Sequence, residues 1–360
     1  MKFFLTTFLA ALISLSAFDS TIPVLHLPDF HNENTRDDFL KTLEKAATEV
    51  GFFALTGTGI DTDLLDNSYE NIVSYFAHNF EEKMALKTAD GQRGYVPGES
   101  AKGENIIDFK EFYHVGRELS EDDLQRLKYC KNVWPEGSDD FKVAMNNLYA
   151  AMDTCKEAVG EAFTEVLNQR PGYINEMIRE GDCLMRAIHY PANPPANSIW
   201  AAAHTDINFF TILPRSTARG LQVLNQEGNW IDVIVPDGAF VINCGDMLEN
   251  LTNGYFKSSV HRVIDPGNRE ERYSVVFFVH PRSEDRLDPL EAYIEKTGGV
   301  RKYANVNRIE LLAERLIDLG LASNGLMEFF VNSGAIERLR EVNRFSPKAE
   351  EALLKAGFSF

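Results

Sequence analysis

The sequence predicts a β sandwich or barrel with helices before and after it. From Cys183 to Phe278 the chain consists of short runs rich in Val, Ile, Phe and Leu, separated by Pro, Gly and Asn. Several short strands at such spacing are typical of an all-β sandwich or barrel. Apolar residues recur at three- and four-residue steps from Ala144 to Leu167, which indicates an amphipathic helix. Helical patterns return after Arg282, most clearly from Ile309 to Leu319.

Four shorter elements are predicted in the first part of the chain. They are a strand over 21–28, a helix over 37–50, a buried strand over 51–55 and a helix over 64–77. Within the β region, two apolar runs flank the turn-forming residues 226–229, which predicts a β-hairpin.

The composition is that of an ordinary globular protein and excludes several classes of partner. Of 360 residues, 44% are hydrophobic and 25% are charged, and the net charge is -18. Nucleic acid and anionic membranes attract basic surfaces, so neither is an expected partner, and we expect a monomer. None of the four cysteines forms a CxxC pair, which excludes a zinc ribbon or a thioredoxin-like motif.

The first twenty residues have the layout of a secretory signal peptide. Lys2 precedes an apolar stretch from Phe3 to Leu15, and the small residues Ser16 and Ala17 follow it. The stretch is shorter than a transmembrane helix requires. We therefore expect a leader over 1–20 and export of the chain, and a cytoplasmic location stays open as the alternative.

His204-Thr-Asp206 is the first candidate for a metal site. Residues two apart on a strand share a face, so His204 and Asp206 are predicted to project towards one ion. His261 lies beside another strand-like run later in the chain. Two histidines and one carboxylate leave three positions of an octahedron open, as in the facial triad of non-haem Fe(II) oxygenases. An isolated HxD pair is more often an ordinary hydrogen-bonded pair, but the distant histidine favours a metal site.

Arg272 and Ser274 form a second candidate site, for a carboxylate. They too lie two apart in a strand-like run, so they are predicted to share a face. A guanidinium binds a carboxylate through two parallel hydrogen bonds, and the hydroxyl can add a third. The charged stretch 269–272 also permits the alternative that Arg272 is an ordinary surface residue.

With these motifs, the sequence resembles the isopenicillin N synthase-like branch of the 2-oxoglutarate/Fe(II)-dependent dioxygenases. The resemblance covers roughly residues 22–282 and depends on many short matches in the same order. They include Ile22-Pro-Val, Gly51-Phe-Phe, Gly94-Tyr, Asp108-Phe-Lys-Glu, Asn132-Val-Trp-Pro, His204-Thr-Asp, Gly220-Leu-Gln-Val, Trp230, Asn243-Cys-Gly-Asp-Met, Thr252-Asn-Gly and Arg272-Tyr-Ser.

The resemblance implies a mainly β fold with flanking helices (α+β), built on a double-stranded β-helix, the distorted jelly-roll barrel. It also implies how the chain is divided. The expected parts are the leader (1–20), an N-terminal region of helices and strands (21–170), the jelly-roll core (181–282) and a C-terminal helical segment (283–360).

The same resemblance implies the roles of the candidate residues. His204, Asp206 and His261 would bind Fe(II), and no catalytic side chain beyond these ligands is implied. Arg272 and Ser274 would hold the distal carboxylate of the co-substrate 2-oxoglutarate.

Further positions are implied, and two depart from the family pattern. Tyr190 would be a third donor to the co-substrate, and Asn243 would lie near the site on the barrel wall. Many plant members have Asn where this chain has Ile188, and many have His where it has Thr58.

The expected activity couples decarboxylation of 2-oxoglutarate and O₂ to hydroxylation, desaturation or cyclisation of a small molecule. One alternative is an isopenicillin N synthase-like oxidase that uses no 2-oxoglutarate, in which Arg272 and Ser274 would hold a substrate carboxylate. A second is a barrel that binds a ligand or a metal without catalysis. The sequence does not name the prime substrate.

The remaining histidines and several aromatic residues are predicted to be structural. The histidines are His26, His31, His78, His114, His189 and His280. The aromatic residues, expected in the barrel core, are Phe209, Phe210, Phe277 and Phe278.

Overall fold

The computed structural model of the protein describes residues 21–89, 91–98, 107–196 and 198–360. The predicted leader over 1–20 lies outside this part of the chain. Within it, no helix combines the length and the apolar character needed to span a bilayer.

Fourteen strands are found in the described residues. In chain order they are β1 (Val24–His26), β2 (Phe52–Thr56), β3 (Gly94–Val96), β4 (Ile107–Asp108), β5 (Glu111–Val115), β6 (Leu184–Tyr190), β7 (Ser198–Ile199), β8 (Ala201–His204), β9 (Phe210–Leu213), β10 (Leu221–Leu224), β11 (Trp230–Asp232), β12 (Phe240–Cys244), β13 (His261–Val263) and β14 (Arg272–Val279).

Thirteen helices in the described residues surround these strands. They are α1 (Leu27–Phe30), α2 (Arg36–Glu49), α3 (Thr62–Phe76), α4 (Phe80–Met84), α5 (Glu121–Leu127), α6 (Asp139–Val166), α7 (Tyr173–Ile178), α8 (Asp246–Leu251), α9 (Glu291–Lys296), α10 (Arg308–Leu319), α11 (Asn324–Asn332), α12 (Ala335–Glu341) and α13 (Pro347–Lys355).

The strands form two main sheets that face each other. The larger has the order β1-β2-β12-β9-β14-β6-β5-β3, and the smaller has the order β11-β10-β13-β8. One cluster of buried side chains joins the sheets through Phe52 and Val223, and another joins them through Ile188 and Val263. These clusters form the interior of a double-stranded β-helix, as the family resemblance implied.

Helix α6 covers the outer face of the larger sheet. The ring of Phe163 lies 6.4 Å from that of Phe53 and 5.6 Å from that of Phe210. The neighbouring Phe52 points the other way, into the barrel. Strand β2 is therefore buried on both faces, which explains why its sequence is a continuous apolar run without polar alternation.

The predicted secondary structure is confirmed in most of its elements. The hairpin is present as antiparallel β10 and β11, and the Asn225 side chain accepts hydrogen bonds from two amides of the turn. Helix α6 begins at Asp139, earlier than predicted, because Phe141 already packs into the core. Four strands of the larger sheet (β1, β2, β3 and β5) come from before residue 171, so the sheet crosses the predicted division between the first two parts.

The C-terminal helices pack on one another through α10. The Asn307 side chain accepts from the Glu310 amide, and the Glu310 carboxylate accepts from the Asn307 amide, which is a capping box. At the other side of α10, Glu314 accepts a hydrogen bond from the amide of Ser346. Burial raises the pKa of Glu314 to about 7, and Asp318 adds to the rise.

Glu314 should make stability depend on pH. Its folded pKa lies above its ordinary value of 4.5, so the fold favours the neutral carboxyl, and stability falls as pH rises from 4.5 to about 7. Glu314→Gln, which is neutral at any pH, should therefore have a higher Tm than the wild type above pH 7, and the difference should vanish near pH 4.5. Glu351→Gln, at an exposed position of α13, is the control and should change Tm little. Equal Tm values for wild type and Glu314→Gln throughout this range would contradict the prediction.

Candidate active site

The candidate site is a pocket between the two sheets. The smaller sheet contributes His204 and His261 to its lining, and the larger sheet contributes Asn243 and Arg272. Asp206, Ser274 and Tyr190 line it as well, so every residue predicted to bind the metal or the co-substrate reaches one cavity.

Strand pairing brings the two histidines together. His204 is the last residue of β8, His261 is the first of β13, and they are directly paired in the antiparallel register. Asp206 lies in the turn after β8, outside any strand. The prediction that His204 and Asp206 share a face of one strand was therefore wrong, although the three side chains do come together. Their ligand atoms lie within 4.8 Å of one another.

Backbone carbonyls fix the orientation of both imidazoles. His204 Nδ1 lies 2.7 Å from the carbonyl oxygen of Ala202, and His261 Nδ1 lies 3.1 Å from that of Ser259. A carbonyl oxygen only accepts, so each Nδ1 must carry the proton and donate it. In the neutral ring the lone pair then lies on Nε2, and each Nε2 lies 3.8 Å from Asp206 Oδ1.

The two oxygens of Asp206 have different environments. Oδ2 accepts hydrogen bonds from Thr211 Oγ1 at 2.6 Å and from Asn243 Nδ2 at 2.9 Å. Oδ1 faces the two imidazoles. Burial opposes ionisation of this carboxyl, but the neighbouring imidazoles and these hydrogen bonds outweigh it and hold the pKa of Asp206 below its ordinary value. The carboxylate is thus both charged and oriented.

These three side chains fit a divalent metal ion. Two bonds of about 2.1 Å to a shared ion span up to about 4.2 Å, so each histidine Nε2 can share an ion with Asp206 Oδ1. Burial and the adjacent His261 lower the pKa of His204. The site is open on one side, because the His204 side chain is 42% exposed whereas those of His261 and Asp206 are 9% and 7% exposed.

Arg272 lies deeper in the same pocket and is 1% exposed. Its Nη1 donates to Ser274 Oγ at 3.1 Å, and its Nε donates to the carbonyl of Ala218 at 3.0 Å. Tyr190 faces it across the β14–β6 pairing, with the guanidinium 4.9 Å from the ring centre. No carboxylate of the described residues forms an ion pair with it, and burial lowers the pKa of Arg272. A buried guanidinium without an anionic partner fits a site for the carboxylate of a ligand.

Two known families match this chain. Residues 22–137 match the family described as "non-haem dioxygenase in morphine synthesis N-terminal", and residues 181–281 match the "2OG-Fe(II) oxygenase superfamily". A homoarginine-6-hydroxylase of Glycine max is 33% identical over an alignment of 287 residues, and the match covers 74% of this chain and 84% of that protein. A 2-oxoglutarate-dependent dioxygenase of Monascus ruber is 31% identical over 75% of this chain and 88% of its own length.

The chain belongs to the 2-oxoglutarate/Fe(II)-dependent dioxygenases. Solved structures agree with this assignment. A 2OG-Fe(II) oxygenase family protein from Caulobacter crescentus has a TM-score of 0.75 and 33% identity, and the match covers 82% of this chain and 98% of that one. Neurospora crassa T7H, solved in complex with alpha-KG, has a TM-score of 0.72 and 26% identity over 82% of this chain and 95% of its own.

Membership of this dioxygenase family establishes the reaction class and the cofactors. The protein is an enzyme that uses Fe(II) and 2-oxoglutarate with O₂ to oxidise a small molecule, as the sequence predicted. The His204, Asp206 and His261 cluster is the group of ligand atoms that fits the iron. The alternative of a barrel without catalysis is thereby set aside.

Sequence reasoning about this dioxygenase missed several pocket residues. Thr211, which holds Asp206, is a polar residue in the otherwise apolar β9, and that contrast was the available signal. Lys110 and Arg186 bring two more cations to the pocket. Lys110 pairs with Asp108 at 2.8 Å, and Arg186 lies 4.0 Å from the ring centre of Phe112.

The residues predicted to be structural are mostly remote from the pocket. His189 points to the outer face of the larger sheet, where its Nδ1 lies 2.8 Å from a carboxylate oxygen of Glu111. Phe278 was expected in the barrel core but lines the pocket, as does Ile188. Ile188 therefore gives the pocket an apolar side chain at the position where many plant members have Asn.

The imidazole geometry predicts the tautomers of the metal-free protein. Both His204 and His261 should be Nδ1–H tautomers near neutral pH, because each Nδ1 faces a backbone carbonyl. Long-range ¹H–¹⁵N NMR correlations of the two rings measure this directly. His31, which is exposed, serves as a reference for an unconstrained ring. An Nε2–H tautomer at either pocket histidine would contradict the geometry.

Proposed function

We propose that His204, Asp206 and His261 are the Fe(II) ligands of this dioxygenase. The single observation that carries the proposal is that the two carboxylate oxygens of Asp206 have different partners. Its Oδ2 accepts hydrogen bonds from Thr211 and Asn243, so its Oδ1 is left to face the two imidazole Nε2 atoms across the space for an ion. Hydrogen bonds of this kind hold a ligating carboxylate in a fixed orientation.

Arg272, Ser274 and Tyr190 are proposed to hold the distal carboxylate of 2-oxoglutarate. Ser274 Oγ accepts from Arg272 Nη1, so the hydroxyl proton of Ser274 is available for a carboxylate. The guanidinium is held by Ala218 and Ser274 before any ligand arrives. A preformed site of this kind loses little side-chain entropy on binding.

When bound, Fe(II) would supply the redox chemistry that couples O₂ and 2-oxoglutarate to substrate oxidation. The protein's own contribution is position and exclusion of water. The two histidines and Asp206 leave one side of the ion open, and Arg272 anchors the keto acid at the deeper end of the pocket. Val263 and Leu221 line the pocket with apolar surface, which lowers the local dielectric and strengthens the contact with Arg272.

The prime substrate is proposed to enter on the His204 side. This is the exposed edge of the triad, and Lys110 lies close enough to His204 to lower its pKa. Arg186 and Phe278 line the same pocket away from Arg272. A small molecule with both an apolar and a polar part suits this lining better than a purely apolar one.

The enzyme is further proposed to act as a monomer on small molecules, without nucleic acid. The net charge of -18 supports the absence of nucleic acid as a partner, because phosphate backbones repel an acidic protein. Sedimentation of the purified enzyme would measure its oligomeric state, and a dimer would contradict the proposed monomer.

Loss of any one proposed ligand should abolish tight iron binding. His204→Ala, Asp206→Ala and His261→Ala should each lose Fe(II) while far-UV circular dichroism stays that of the wild type. His31→Ala, a change at an exposed histidine, is the control and should keep its iron. Iron content of the purified proteins is the measurement, and a triad variant with full iron content would remove that residue from the ligand set.

Loss of the Arg272 guanidinium should weaken 2-oxoglutarate binding. A charge-assisted bidentate contact contributes about 1.5–3 kcal/mol, so Arg272→Ala should raise the 2-oxoglutarate KM roughly ten- to a hundred-fold. Arg272→Lys keeps the charge but not the two-pronged geometry of the guanidinium, so its 2-oxoglutarate KM should lie between those of the wild type and Arg272→Ala. Iron binding should be unchanged in both.

Arg308 provides the matched control for this experiment. It is also buried, at 6% exposure, but it does not line the pocket. Arg308→Ala should lower stability and leave the 2-oxoglutarate KM unchanged. If Arg272→Ala and Arg308→Ala change the 2-oxoglutarate KM equally, Arg272 is not the anchor of the co-substrate.

A further inference from the structure

The turn that carries Asp206 is held from outside the barrel. Three consecutive amides at the start of α8 donate to its carbonyls: Gly245 to Phe209 at 2.9 Å, Asp246 to Asp206 at 2.7 Å, and Met247 to Asn208 at 3.1 Å. These bonds leave one carbonyl between the proposed ligands, that of Thr205, for another donor.

That donor is Arg315 of α10. Its Nη1 donates to the Thr205 carbonyl at 3.3 Å, and its Nη2 donates to Thr205 Oγ1 at 3.2 Å. Nη2 also forms an ion pair with Asp246, and Thr205 Oγ1 in turn donates to Asp246 Oδ2 at 3.2 Å. The guanidinium therefore binds both the turn and Asp246, the first residue of α8, the helix that supports the turn.

The contact acts on the peptide unit between the two ligands. Thr205 lies between His204 and Asp206, and its carbonyl belongs to the peptide bond that begins Asp206. Fixing this peptide plane fixes the direction in which the Asp206 side chain leaves the backbone.

Arg315 lies in a part of the chain that neither matched family covers. The two matches end at residues 137 and 281, whereas α10 begins at Arg308. Thr205 and Arg315 are 110 residues apart. The C-terminal segment thus reaches the turn of the proposed metal site through the Arg315 side chain.

We propose that Arg315 is a positioning residue for the iron site, through which docking of the C-terminal helices and metal affinity are coupled. The proposal rests on His204, Asp206 and His261 being the ligands. If Arg315 holds the turn in its metal-binding shape, then metal binding must in return stabilise the docked α10, since coupling between two events is reciprocal.

Arg338 provides a matched control within the same segment. Its side chain is 29% exposed, as is that of Arg315, and it also forms an ion pair with a carboxylate, Glu310. It joins α12 to α10, and its hydrogen bonds go to Ser333 and Glu310, not to the turn at 205–209. Arg338→Met therefore removes the same kind of interaction at a distance from the metal site.

The experiment is a titration of the full-length metal-free enzymes with Co(II), followed by the visible absorption of the bound ion. Arg315→Met should weaken Co(II) binding about tenfold, the lower end of what residues that orient metal ligands contribute. Arg315→Lys should be intermediate, because one ammonium cannot reach both Thr205 atoms and Asp246 in the same geometry. Arg338→Met should bind as the wild type does.

Hydrogen exchange of α10 gives a second, independent measurement. Co(II) should slow amide exchange over 308–319 in the wild type and in Arg338→Met, but not in Arg315→Met. If Arg315→Met does not fold, Thr205→Val tests the same link, because it removes the hydroxyl and keeps the shape; it should weaken Co(II) binding several-fold.

The outcomes separate this inference from the proposed ligands. Equal Co(II) affinity in Arg315→Met and wild type, or equal losses in Arg315→Met and Arg338→Met, would overturn the positioning role while leaving the ligand set intact. Undiminished Co(II) binding in His204→Ala or His261→Ala would instead overturn the ligand set itself.

Discussion

The antiparallel pairing of β8 with β13 is the constraint on which the rest of the site depends. It sets His204 directly opposite His261, and the backbone carbonyls beside them turn each Nε2 towards the same point. Hydrogen bonds within a sheet are cooperative and rigid, so the two imidazoles need little reorganisation to meet an ion. The third ligand is different, because Asp206 lies in a turn and depends on contacts made by other parts of the chain.

Those contacts explain why the barrel tolerates so many polar groups in its interior. A buried carboxylate is costly unless its oxygens are satisfied, and here Thr211 and Asn243 satisfy one oxygen of Asp206. The two imidazoles face the other oxygen. Arg272 is the converse case: its guanidinium is buried with neutral partners only, and its charge is left for a ligand. The apolar walls between these groups make each electrostatic contact stronger than it would be in water.

The helical layers stabilise the barrel from outside and reach the site indirectly. Helix α6 covers the outer face of the larger sheet, which frees the inner face for the pocket. The C-terminal helices have a closer relation to the chemistry, because Arg315 contacts the turn between two proposed ligands. Stability and metal affinity are therefore not independent properties of this enzyme, and a change in the packing of α10 can affect both.

The sequence by itself determined the reaction class, the residue types of the site and most of the elements. Arg272 and Ser274 share a face because strand periodicity is local, and the apolar run of β2 already indicated a strand buried on both sides. Only the tertiary structure decided how Asp206 is held, because Asn243 and Arg315 reach its turn from distant positions. Periodicity reports which way a side chain points, but it carries no information on what it meets there.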